Sequence, residues 1–200
     1  MAGILENGQV TIRFVAPTSI ISNQPSFVQD TVSLKRQTNS RGVQRWEIKT
    51  NLEPSNSSAD FLVHSITVGH NNIFNIQVPQ VFRLKESDKT TTSGIVSLFT
   101  QGQLNSSTIS ITGNNGQISK GEFIKFGNHD KVYIVTETRN GNGNLEIYPP
   151  LRMVTNAGTS IAYGSSVTMK VRFDTDTVLG ITYTDGILSD PGAVTFIEAI

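Results

Sequence analysis

At 200 residues the chain has room for one large domain or two small ones, and a globule of that size buries roughly 70% of the surface its unfolded form exposes, enough for a core without crosslinks. Cys is absent, which excludes disulfides and any cysteine nucleophile. Lys plus Arg (16) balance Asp plus Glu (16), which argues against a general nucleic-acid binder, because phosphate backbones select a basic surplus.

Most of the chain alternates apolar and polar residues at the period of a strand. Gln9 to Val15 sets Val10, Ile12 and Phe14 on one face, and Ser26 to Lys35 continues with Val28, Val32 and Leu34. Thr38 to Gly42 reads as a turn. Arg45 to Thr50 places Trp46 and Ile48 opposite Arg45, Glu47 and Lys49. Pro54 to His70 breaks the pattern: Phe61, Leu62, Ser65 and Ile66 recur at helical spacing and Gly69 supplies a stop, so the spacing predicts the chain's one helix. Ile73 to Val78 returns to strand. Lys85 to Ser93 is polar and reads as a linker.

A compact β unit then runs from Gly94 to Met153, with strands expected at Ile95–Thr100, Ser107–Thr112, Phe123–Phe126, Lys131–Glu137 and Asn144–Tyr148. Gly113-Asn114-Asn115-Gly116, Gly127-Asn128 and Asn140-Gly141-Asn142-Gly143 mark its turns. About five short strands with this punctuation fit a small barrel of the OB or SH3-like type. Thr155 to Ser166 is a further polar break, before strands at Val167–Phe173, Leu179–Thr184 and Val194–Ile197. The expected organisation is an outer domain from residues 1–88 and 160–200, with a small barrel, 89–159, inserted in it. Residues 1–30 form an arm or a further strand of the outer domain.

Only 16% of residues are charged, against about 25% in ordinary soluble domains; Asn, Ser, Thr, Gln and Gly take their place, a surface common in large extracellular or virion assemblies. Met1 to Val15 has neither a positive cluster nor a long apolar run, so no signal peptide is expected. No stretch reaches the roughly 18 apolar residues that cross a bilayer. Synthesis in the cytoplasm and no membrane insertion follow as expectations.

Candidate chemistry is sparse. His64 and His70 are six apart on the expected helix and share no face, and His129 falls in a turn, so no metal site is expected. Asp174, Asp176, Asp185 and Asp190 alternate near one strand end without the spacing of a calcium loop. Asp60, Glu122, Glu137 and Glu146 are the carboxylates a paired acid and base could use, but nothing singles them out. No Gly-x-Ser-x-Gly elbow occurs, and Gly141 to Gly143 opens no phosphate-binding helix. Asn56-Ser57-Ser58 and Asn105-Ser106-Ser107 match the glycan acceptor pattern by chance. Trp46, Phe61, Phe74, Phe82, Phe123, Phe126, Tyr133, Tyr148 and Phe173 read as core. Lys120, Lys125 and Lys131 beside Phe123, Phe126 and Tyr133 raise the alternative of a base-stacking or sugar-binding barrel. No catalytic, cofactor-binding or metal residue is assigned, and no enzyme or cofactor is expected.

Two passages are more specific. Gly121 to Thr136 (GEFIKFGNHDKVYIVT) followed by Leu145 to Arg152 (LEIYPPLR) resembles the G-D-F-I/L…K-V-Y-x-V-T…L-x-I-x-P-x-L-R block of phage tail proteins, among them distal tail proteins of the T5-like type; Glu122 stands where Asp is commoner. The succession RWEIKTNLEP, helix, FNIQVPQ resembles the first domain of the same distal tail proteins, so the resemblance runs from about Thr31 to the C-terminus. It implies a tail-tube-like β-sandwich with one flanking helix, completed after the inserted barrel. It also implies a structural role: a homo-oligomeric ring, six copies in that family, at the distal end of the tail tube. Such a ring joins the tube protein to the baseplate hub, sits in the virion and leaves a channel through which DNA passes without specific binding. Another baseplate or tail-completion subunit is the alternative.

Overall fold

The alternation in the sequence becomes two six-stranded barrels in the computed structural model of the chain. It describes residues 2–30, 36–40, 43–69, 71–80, 92–174, 182–184, 187–190 and 192–200. In chain order come β1 (Gly3–Glu6), β2 (Gln9–Asn23), β3 (Ser26–Asp30), β4 (Arg36–Ser40), β5 (Arg45–Leu52), α1 (Asn56–Val68) and β6 (Phe74–Gln77). Next are β7 (Val96–Leu98), β8 (Thr108–Thr112), β9 (Gln117–Ile118), β10 (Phe123–Phe126), β11 (Val132–Val135), β12 (Arg139–Asn140), β13 (Gly143–Tyr148) and β14 (Ser160–Tyr163). A 3-10 turn (Gly164–Ser166) precedes β15 (Thr168–Phe173), β16 (Thr182–Thr184), β17 (Ile187–Asp190) and β18 (Ala193–Glu198). The fold is mainly β with one α-helix among the described residues.

The first barrel has the strand order β1-β2-β5-β18-β15-β6 and so takes strands from both ends of the chain. The sandwich expected for this part has its layers joined into a closed sheet. Its walls follow the period of two: Trp46, Ile48, Thr50 and Leu52 of β5 point inward, as do Met169, Val171 and Phe173 of β15. β2 does not stop at Val15 but continues to Asn23, past Pro17. Proline cannot donate to a ladder, and the pairing with β5 shifts register between Val15 and Ser19, so a bulge removes it from the ladder. Residues 3–23 are thus barrel strands, not a free arm.

α1 begins where Ser55 caps it, its Oγ accepting the Ser58 N–H at 3.2 Å. It ends at Gly69, whose φ of 81° is left-handed and whose N–H donates to the Ser65 carbonyl. Its buried stripe is Ser58, Phe61, Leu62 and Ser65. Phe61 meets Phe74 edge-on at 5.0 Å, and Phe74, Phe173 and Phe196 stand 5.2–5.5 Å apart, so the helix is fastened by rings. Ile66, expected in that stripe, is instead 49% exposed: at about 100° per residue it lies some 90° round from the stripe's centre.

The second barrel is antiparallel throughout, in the order β10-β11-β13-β8-β7-β14. Ile109 and Ile111 of β8, Leu145 and Ile147 of β13, and Phe126 and Tyr133 fill it. β14 falls inside the expected polar break Thr155 to Ser166 and beyond the expected boundary at residue 159. Its sequence, SIAY, offers one large aliphatic residue, yet it closes the barrel between β7 and β10.

Three two-stranded sheets complete the description: β3 with β4, β9 with β12, and β16 with β17. Thr38–Ser40, expected in a turn, pair with Ser26–Val28 as strand. Val32, Leu34, Phe82, the linker residues 85–91, Leu179 and Asp185-Gly186 lie outside the described residues, as do His70 and Asp176. By contact density the chain divides into two units, Met1–Thr11 with Asn75–Lys170 and Ile200, and Ile12–Phe74 with Val171–Ala199.

Candidate functional site

An open groove of about 390 Å³ lies in the unit that holds Asn75–Lys170. Lys125 and Phe126 at the end of β10, the turn Gly127 to Asp130, Ser160 and Ala162 of β14, and Ser166 and Thr168 line it. The turn exists because β10 must reverse into β11. Gly127 has no left-handed backbone; a Cβ there would stand 2.7 Å from the Ser160 hydroxyl of β14, which would have to turn aside.

His129 lies flat against Phe126, ring centroids 5.4 Å apart. Its Nε2 is 2.8 Å from the Tyr133 hydroxyl, and its Nδ1 is 2.7 Å from the Asn128 side-chain oxygen. Tyr133 Oη also accepts the Arg152 backbone N–H at 3.1 Å. One pattern satisfies all three: Tyr133 donates to Nε2, and Nδ1–H donates to Asn128. The imidazole is then neutral. Burial pushes His129 below its ordinary value, against the upward pull of the Asp130 carboxylate, and the Lys125 cation pushes it further down. The Asn128 amide reaches on to Thr155 Oγ1 at 3.4 Å, so the network ties the turn to residues 152–155.

Asp130 joins two cations, Lys170 Nζ at 2.8 Å and Lys125 Nζ at 3.1 Å. The Lys170 hydrogen bond, aided by Lys125, holds its carboxyl below the usual carboxylate range. Chemically, the groove pairs a neutral imidazole whose two nitrogens are engaged with a carboxylate already bridged by two ammonium groups. Neither is presented to a reacting atom as a free base or acid; the arrangement fastens a turn.

Sequence reasoning singled out His129 as a turn residue but missed Tyr133, Asn128 and the Arg152 backbone as its partners. The i, i+4 separation of His129 and Tyr133 across a turn is the signal that was there. The other candidates scatter. His64 is exposed on α1, as is Asp60. Glu122 is buried before β10, Glu137 is exposed after β11, and Glu146 of β13 accepts the Thr108 hydroxyl at 2.6 Å. None of these lines the groove. Asp174 follows β15, its N–H donating to the Thr195 carbonyl, and Asp190 belongs to β17. Among the described residues no group of three or more His, Asp or Glu is placed to hold a metal ion. Phe123, Phe126 and Tyr133 are at most 1% exposed and Lys131 is 2% exposed, so the stacking platform considered for the barrel is core: a ring sealed in the interior offers no face to a base or sugar.

What the second barrel is similar to is a domain of phage distal tail proteins. The family model that matches is the B domain of the distal tail protein pb9, over residues 86–165. The match takes in β7 to β14, every strand of that barrel, and supports a phage distal tail protein with a structural role in the virion tail. No curated protein matches the chain.

Proposed function

We propose that the chain is a distal tail protein of the T5-like type: copies of it form a ring, hexameric as in that family, at the end of the tail tube. The ring joins the tube protein to the baseplate hub and leaves a channel for DNA, and the role is structural and not catalytic. The observation that carries this reading is the match of residues 86–165 to the pb9 B domain. Two further features support it. The matched barrel sits in sequence between β6 and β15, both strands of the first barrel, the order the family has for its inserted and outer domains. The balanced charge removes self-repulsion between copies. On this reading the outer domain is formed by both chain ends around the insertion, synthesis takes place in the host cytoplasm, and DNA passes the channel without sequence-specific contacts.

Gold-labelled antibody against the purified chain, applied to particles of the phage that encodes it, tests the position. Label confined to the tail tip is expected. Label on the head, along the whole tube, or on no particle contradicts the proposal.

A further inference from the structure

The groove beside the β10–β11 turn holds more positive charge than the fold neutralises. Asp130 offers one carboxylate to two ammonium groups, Lys125 and Lys170, and with His129 neutral no other residue lining the groove carries a charge. One positive charge is left over. Lys125 does not extend freely into solvent, because its side chain is only 17% exposed. An ammonium group presents three donors, and a lysine taken this far out of water is ordinarily paired. Among the described residues Lys125 Nζ is bonded to Asp130 alone, at 3.1 Å. Its remaining donors are left for whatever fills the groove.

The wall next to this ammonium has little bulk. In the β10–β14 ladder Lys125 stands opposite Ala162, and Gly127 donates its N–H to the Ser160 carbonyl at 2.9 Å. The absence of side chains beyond Cβ at Gly127 and Ala162 leaves a space of about 390 Å³, within the range of small-molecule sites. Ser160 and Thr168 line the same space, and among the described residues neither hydroxyl is bonded to another group. His129 adds no donor, since both its nitrogens are engaged. A surplus cation with uncommitted N–H donors, flanked by two uncommitted hydroxyls, selects an anion with several acceptor oxygens. We propose that the groove binds a phosphate-type oxyanion, with Lys125 as its charged contact and Ser160 and Thr168 as hydroxyl donors. Inorganic phosphate and a phosphate monoester on a polyol present the same group, and the space is larger than the ion alone fills. The site lies within one chain and goes beyond the structural role proposed above.

Isothermal titration calorimetry of the full chain, in chloride at fixed ionic strength so that exposed charges are screened alike, tests this with three probes: inorganic phosphate, glucose 6-phosphate and glucose. Both phosphates should bind saturably, one per chain, and glucose should not. Equal affinity for the two phosphates identifies the free ion as the ligand; tighter binding of the monoester shows that its carrier is held as well. Lys125→Gln should weaken phosphate binding about tenfold or more, the worth of a hydrogen bond to a charged group. Lys125 also ties the turn through Asp130, so that variant is joined by two that break no side-chain bond of the fold. Thr168→Val should weaken binding through the lost hydroxyl, and Ala162→Glu should abolish it by setting a carboxylate beside Lys125. Melting curves establish which variants are folded, and the result is read from those. No saturable binding of either phosphate, glucose binding as tightly as its phosphate, or unchanged binding in a folded Lys125→Gln or Ala162→Glu variant overturns the proposal.

Discussion

Gly113 is held at a φ of 79°, and a Cβ there would collide with the carbonyl oxygen of Ile95, the residue before β7. Gly113→Ala should therefore lose about 1–3 kcal/mol, read as a lower urea midpoint at unchanged slope. The requirement was half legible: the Gly-Asn-Asn-Gly run announces a turn, but the closeness of Ile95 is a property of the folded pair β7–β8. His129 carries a pH dependence. Its folded value lies below the ordinary 6.5, so the unfolded chain takes up the proton first. Stability from this group is complete above 6.5 and is lost as pH falls from there through the lower folded value. His129→Gln should flatten that part of the stability-against-pH curve. Asp130, also lowered, acts at more acid pH: its contribution is complete above its unfolded 3.8 and is lost below that. Its exposure keeps the effect small.

Elements whose side chains alternate cleanly were legible. β5, β8 and β13 carry their buried residues on one face and polar ones on the other, and each was expected within about two residues of its ends. β14 was hidden because it is only four residues long and its outer face holds the small residues Ser160 and Ala162, and β4 because RQTNS contains no apolar residue at all; each is strand because a partner ladder recruits it. The helix was found from its Phe61, Leu62 and Ser65 spacing, while its inner stripe was completed by Ser58, a residue that hydropathy assigns to the outside. Ser58 earns its place by donating to the Glu53 carbonyl at 2.5 Å. Ser55→Ala should reduce stability by about 1 kcal/mol through loss of the N-cap, and Phe196→Ala by about 3–5 kcal/mol, because Phe14, Phe74 and Phe173 would face a cavity. Thermal melts followed by far-UV circular dichroism check both.

At the scale of the molecule, the sequence disclosed a β protein with one helix and a barrel in mid-chain, and of the two passages that resemble phage tail proteins the block Gly121 to Arg152 falls within the stretch similar to the pb9 B domain. Closure of each sheet into a barrel was not legible, because closure depends on pairs such as β10 with β14, separated by more than thirty residues. Nor was the exposure of Ile66, since its spacing with Phe61 and Leu62 assigns it to the buried stripe. Among the described residues the histidines and carboxylates considered above lie on separate elements or, like His129 and Asp130, are bonded into one turn. The proposed role of the chain is assembly into a ring. The native mass of the purified protein over a range of concentrations tests that claim most directly. The account predicts a closed multiple of 21.8 kDa, six copies with a central opening by electron microscopy. A single species at the monomer mass at every concentration would contradict it.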